Sequence, residues 1–188
     1  MTSSSERTSP LISREDAVLV VIDVQERLVS HVDGEGEIIA NLAKLGQFAG
    51  IIGLPVIVTE QEKLGPTVPE VAWHLKGAQP IAKSHFGCFG CEEFVQALSA
   101  LGRSTLVLTG IEAHICVAQT ALQALDRYTV HVVSDAVGSR KPADRQAALD
   151  RMRQAGAIIT STEMLMYELL GRAGTDEFRR VLELVKQE

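Results

Sequence analysis

The chain has 188 residues, a formal net charge of −6, 46% hydrophobic but only 4% aromatic residues, and three cysteines. That length buries a core without disulfide or metal staples and reads as a single domain of ordinary size. The acidic balance, with no Lys/Arg cluster, excludes a phosphate-tracking surface and predicts no nucleic acid partner, while no apolar run approaches the roughly 20 residues that span a bilayer, so no membrane partner is expected.

Residues 1–14 are polar, without an apolar signal core, and are expected to be a disordered tail; the folded domain is expected at 15–188, in the cytoplasm. Ala17–Ile22 is a continuous, largely β-branched run that reads as a strand buried on both faces, stopping at Asp23. Ile38, Ile39, Leu42, Leu45 and Ala49 recur at helical spacing, and Gly53 closes that element. Pro55 to Thr59 reads as a second strand. A Gly- and Pro-rich loop from Glu60 to about Lys83 follows, with an edge strand near Pro80 to Ala82.

Glu92 to Leu101 has a helical pattern, Leu106 to Thr109 is a strand, His114 to about Arg127 a helix, and Val130 to Val133 another strand. Pro142 begins a helix running to about Ala155, with Gly156 where a C-terminal cap belongs. Ala157 to Ile159 is the last strand. Thr160 and Glu163 have capping-box spacing for a helix to Leu170, and Thr175 caps a terminal helix ending near Lys186. This alternation predicts an α/β fold: a mostly parallel sheet of five or six strands between two helical layers. Its site is expected at the carboxyl ends of the strands, near the switch in strand order.

Cys116 lies beyond Gly110, at the opening of an amphipathic stretch. A cysteine in the first turn of a helix that follows a buried strand feels amide dipoles that lower its pKa, so it can be a thiolate at neutral pH and a nucleophile. Cysteine hydrolysis also needs a group that holds and returns the proton, a positive charge for the thiolate, and donors for the developing oxyanion. Asp23 and Lys83, each just past an expected strand end, supply the first two. The turn from Glu112 to Cys116 can aim backbone N–H groups at the last.

The segments Val20-Val21-Ile22-Asp23-Val24-Gln25, Val58-Thr59-Glu60-Gln61, Lys83-Ser84-His85-Phe86, Gly110-Ile111-Glu112-Ala113-His114-Ile115-Cys116-Val117, Gln119-Thr120-Ala121-Leu122 and Asp135-Ala136-Val137-Gly138-Ser139-Arg140 occur in this order. In them the chain resembles the isochorismatase-like cysteine hydrolase superfamily, in particular its isochorismatase-domain-containing branch, over roughly residues 16–186. The resemblance implies a three-layer α/β/α sandwich around a six-stranded, mostly parallel sheet, a triad of Asp23, Lys83 and Cys116, a cis peptide between Ile111 and Glu112, and an oxyanion hole from the backbone N–H groups of Glu112 and Cys116. It also implies a homodimer or larger assembly acting on a small molecule without a cofactor. Nicotinamidases of the superfamily carry an Asp-x-His metal motif after the second strand, where this chain has Thr59-Glu60-Gln61, so no metal is expected.

The expected reaction is hydrolysis of a C–N bond in a small amide-like metabolite through a thioester, with Gln25, Glu60, Gln61, Phe86, His114 and Ile115 as candidate pocket residues. Two other readings stand beside it. One is a catalytically silent scaffold of the same fold; the other is a redox sensor built on Cys88 and Cys91. A zinc half-site from His85, Cys88 and Cys91 lacks a fourth ligand at a finger-like spacing, which leaves loop packing near the site as the expectation for that cluster.

Overall fold

The computed structural model describes residues 11–75 and 77–186. Six parallel strands form one sheet: β1 (Ala17–Ile22), β2 (Val56–Gln61), β3 (Ile81–Lys83), β4 (Thr105–Ile111), β5 (Thr129–Gly138) and β6 (Ile158–Thr160), in the order β3-β2-β1-β4-β5-β6. Every residue of β1 and β4 is buried, because both are central strands with helices on each face.

The helices are α1 (Glu26–Val29), α2 (Glu35–Ile52), α3 (Pro69–Ala72), α4 (Glu92–Leu101), α5 (Ala118–Ala124), α6 (Pro142–Gln154), α7 (Thr162–Leu170) and α8 (Asp176–Val185). Leu19 and Val21 of β1 pack with α2, α3, α7 and α8 on one side, whereas Val18, Val20 and Ile22 pack with α4, α5 and α6 on the other. The period-two alternation of one strand thus feeds two separate cores, giving the three-layer α/β/α sandwich.

Several boundaries differ from the sequence reading for local reasons. β2 runs on to Gln61 because Glu60 and Gln61 pair with β3. The stretch expected as loop holds α3, which starts on Pro69 and is anchored by the fully buried Val71. The last β-residue before α7 is Thr160, paired with Val133, so the cap falls one residue later, on Ser161, whose side chain accepts from Met164 N. Thr175 caps α8 through Phe178 N at 3.0 Å. Of the tail expected at 1–14, residues 1–10 lie outside the described residues. Ile12 is buried in the core and Arg14 grips Glu177 of α8 through both guanidinium nitrogens, at 3.0 and 3.1 Å, so the ordered chain begins before residue 15.

Candidate active site

β1 and β4 are neighbours at the centre of the sheet, and the strand order reverses between them, the place where an open parallel sheet leaves a crevice at its carboxyl end. Gly110 lets the two strands meet there. Its φ is 111°, and a Cβ at this position would overlap the Ile22 carbonyl oxygen and lie 2.7 Å from Ile22 N, so only glycine fits. Immediately beyond Ile22, Asp23 leaves the strand in a left-handed conformation with φ 52°, held by its N–H to Thr59 O at 3.1 Å. On the other side of β4, the pairing with β5 slips between Leu108 and Gly110, which carries β5 on to Gly138 alongside the same turn.

Asp23 is fully buried and its carboxylate is fully engaged. Oδ2 accepts from Lys83 Nζ at 2.6 Å, and Oδ1 accepts from Thr59 Oγ1 at 2.8 Å. Lys83, the last residue of β3, has a side chain with no solvent exposure; its ammonium also donates to Gln61 Oε1 at 2.9 Å and to the carbonyls of His85 and Phe86 at 3.1 Å each. A buried ion pair repays its desolvation only when the remaining donors and acceptors are satisfied, and here four oxygens surround one ammonium. Cys116 reaches the same carboxylate from across the sheet: it lies in a π-helical turn, Ala113–Val117, that follows a cis peptide between Ile111 and Glu112, and its thiol is hydrogen-bonded to Asp23.

This environment reverses the expectation of a standing thiolate. Burial and the Asp23 charge push the Cys116 thiol up to about 12, against a smaller opposing pull from Lys83. Amide dipoles at a helix start are worth a few tenths to about 1 kcal/mol, too little to offset a carboxylate in contact with a desolvated thiol. The resting arrangement is therefore a thiol donating to a carboxylate. Burial likewise pushes the Cys88 thiol up to about 11.

The candidate pocket residues fall into two groups. Gln25, buried, spends its amide on backbone, donating to Gln61 O at 2.9 Å and Gly65 O at 2.5 Å and accepting from Gln61 N at 2.8 Å. Glu60 accepts from both N and Oγ1 of Thr67, at 2.7 and 2.8 Å, and Gln61 bridges Lys83 and Ser84 O. These three brace the loop after β2. Phe86 has an exposed ring and a carbonyl that accepts from Lys83; Ile115 is partly buried beside Cys116; His114 Nδ1 lies 2.9 Å from Ser139 Oγ. Glu112 carries an ion pair with the more exposed Arg140 at 2.8 Å.

Sequence reasoning passed over two hydroxyls. Thr59 fixes Asp23, and Thr120 ties the Cys116 turn to the 88–90 turn, donating to Cys116 O at 2.7 Å and accepting from Cys88 N at 3.0 Å. Their signal was a polar residue at a position where the strand or helix pattern calls for an apolar one. Cys88 and Cys91 point apart, the first into the core and the second, half-exposed, towards Ala82 O at 3.6 Å. Among the described residues, no group of three or more His, Cys, Asp or Glu side chains is placed to hold a metal ion.

Set against known proteins, residues 17–164 match the family model of the isochorismatase domain. The chain belongs to the isochorismatase family. Isochorismatase domain-containing protein 2 of Xenopus laevis is 38% identical over 98% of this chain and 90% of its own length. The structure of the MAR1 ribonuclease of Caenorhabditis elegans superposes with a TM-score of 0.87 at 36% identity, covering 93% of this chain and 92% of that one. The YcaC gene product of Escherichia coli, described as an octameric hydrolase of unknown specificity, superposes with a TM-score of 0.85 at 30% identity, covering 95% and 89%. Isochorismatase-family membership makes this a hydrolase-like chain with an isochorismatase fold.

Proposed function

We propose that this protein is a cysteine hydrolase that cleaves a C–N bond in a small amide-like metabolite, with Cys116 as nucleophile, Asp23 as general base and acid, and Lys83 as the charge that holds Asp23. The observation that carries this reading is the single buried carboxylate of Asp23 in contact with both the Lys83 ammonium, at 2.6 Å, and the Cys116 thiol.

Because the thiol is protonated at rest, its proton passes to Asp23 as sulfur attacks the carbonyl carbon, and the ion pair with Lys83 keeps the carboxylate aimed. The tetrahedral oxyanion is received by the backbone N–H groups of Glu112 and Cys116 in the turn after the cis peptide. Asp23 returns the proton to the leaving nitrogen, an amine or ammonia departs, and a thioester remains. Water, deprotonated by Asp23, attacks the thioester, releasing the carboxylic acid and restoring the thiol. No metal or cofactor enters these steps. The octameric state of the Escherichia coli relative supports a homo-oligomer. A net charge of −6 opposes a polyanionic substrate such as the RNA in the name of the Caenorhabditis elegans relative.

The test is a screen of small amides, with RNA as a contrast, against wild type and Cys116→Ala, read as amine or ammonia release. Turnover by wild type that disappears in the variant is expected. Unchanged turnover in Cys116→Ala overturns the assignment of Cys116 as nucleophile, whereas a wild type that turns over no compound in the screen leaves the scaffold reading in its place.

A further inference from the structure

The turn that carries Cys116 is stitched to the end of β5 by two consecutive residues. Gly138, the last residue of β5, pairs with Ile111, and the next two side chains reach across to the turn: Ser139 Oγ lies 2.9 Å from His114 Nδ1, and Arg140 Nε donates to Glu112 Oε1 at 2.8 Å. The platform behind these links is itself braced. Asp33 N donates to Ser139 O at 3.0 Å, Arg145 Nε donates to Val137 O at 2.9 Å, and Gly138 sits so close to α2 and the segment before it that a Cβ there would lie 2.5 Å from Ile38 Cδ1 and Val32 Cγ1. A π-helical turn is a strained, locally loose piece of backbone that needs support from outside itself. Glu112, which opens it, does not cap it with its side chain; its carbonyl accepts from Ile115 N at 3.1 Å and Val117 N at 3.2 Å, and its carboxylate turns to Arg140. The Glu112 side chain is 8% exposed against 57% for Arg140, so a carboxylate nearly out of water has this one cation as its ion-pair partner among the described residues. With its carbonyl and carboxylate both held and Ile111 locked in the sheet, Glu112 is fixed from three sides.

We infer that Arg140 and Ser139 are positioning residues for the reaction: the links Arg140–Glu112 and Ser139–His114 hold the turn so that its backbone N–H groups meet the oxygen of the tetrahedral intermediate. This rests on the reading of Cys116 as nucleophile and of this turn as its oxyanion hole. Neither residue touches the reacting atoms; each acts through the turn. Donors for an oxyanion work only if they are aimed before the charge develops, and a misplacement on the order of 1 Å costs roughly 100-fold. The Cys116 sulfur is served by a different set of contacts, since Thr120 donates to Cys116 O at 2.7 Å and Asp23 handles the proton. Loosening the β5 links should therefore harm the addition of sulfur to a carbonyl and spare the reactivity of sulfur as such.

Two probes of Cys116 separate these effects on the full chain without any amide substrate. With iodoacetamide, sulfur displaces iodide at a saturated carbon and Asp23 takes the thiol proton, so no oxyanion forms. With acetaldehyde, the C–S bond forms, the carbonyl π bond breaks, and the thiol proton passes by way of Asp23 to the former carbonyl oxygen, which lies where the oxyanion would. The alkylation rate of Cys116 is read by peptide mass spectrometry, and acetaldehyde binding as protection from that alkylation. In Arg140→Ala the expected result is an unchanged alkylation rate with acetaldehyde affinity lowered by roughly 10- to 100-fold, and Ser139→Ala shifts the affinity in the same direction by less. Arg140→Lys restores most of it, because the link to Glu112 is one hydrogen bond and not a bidentate fork, and this rescue keeps the test sound if the alanine variant folds poorly. Wild-type affinity in Arg140→Ala, or alkylation and affinity falling together, overturns the inference, as does a wild type that is alkylated at Cys116 but takes up no aldehyde. A wild-type Cys116 that resists alkylation fails the nucleophile reading itself and takes this inference with it.

Discussion

At the amino-terminal end of β2 a cleft of about 790 Å³ opens between α2, the segment around Trp73 and His74, and Arg180 of α8, lined largely by glycine and aliphatic side chains such as Ile51, Leu54 and Val56. At the opposite end of the sheet, Asp23 after β1, Lys83 at the end of β3 and Cys116 in the turn that follows β4 converge in a space so tight that Asp23 and Lys83 have no side-chain exposure and Cys116 is only 6% exposed. The cleft has room without convergence; the site has convergence with little room. The contrast teaches that volume follows from how helices stack, whereas chemistry follows from where parallel strands end together, and an ionisable group is tuned by what touches it more than by the size of the hole beside it.

Changes at the two ends should differ accordingly. Cys116→Ala should lower turnover of a confirmed amide by at least about 10⁴-fold while thermal stability barely moves, as measured by amine release and calorimetry. Asp23→Asn should cost roughly 10² to 10⁴ in turnover. Because the Asp23 charge raises the Cys116 pKa, the same variant should move the alkylation profile of Cys116 to lower pH, and a profile that stays in place would break the link between them. Lys83→Met leaves the buried carboxylate uncompensated and should cost about 3–5 kcal/mol in urea unfolding. Thr59→Val removes one hydrogen bond to the same carboxylate and should cost about 1.5–3 kcal/mol.

Alkaline pH gives a smaller, graded effect with a defined sign. Both thiols have folded values above the ordinary 9.0, about 12 for Cys116 and about 11 for Cys88, so the fold favours their protonated forms. That stability is fully present below pH 9 and is lost as pH rises towards about 12, because the unfolded chain ionises first. Unfolding midpoints should therefore fall above pH 9, and fall less in Cys116→Ala. At the cleft, Arg180→Ala should change stability by less than about 0.5 kcal/mol and leave turnover unchanged. Lost turnover there would shift the functional centre to the roomier end.

The central strands were legible because β1 and β4 are buried on both faces and so read as unbroken apolar runs. The grouping of Asp23, Lys83 and Cys116 was legible because residues just past parallel strand ends share one edge of the sheet. Helices α1 and α3 were not, since four residues carry no period and are fixed by tertiary contacts such as that of Val71. The ionisation of Cys116 was misjudged for a related reason: local sequence reports the helix dipole, while burial and the contact with Asp23 come from chain nearly a hundred residues away. Thr59 and Thr120 are polar residues inside apolar patterns, and only the folded chain reveals what they hold.

The enclosure of Lys83 has a practical reach. Lys63 and Lys141 are exposed and should be acylated or reductively methylated readily, whereas Lys83, walled in by four oxygens, should be the last lysine to react among the described residues. Its three ammonium protons should also exchange with solvent slowly enough for heteronuclear NMR to see them as a resolved signal. Any compound that enters the site, and any reagent that disturbs Asp23, would announce itself through that one resonance.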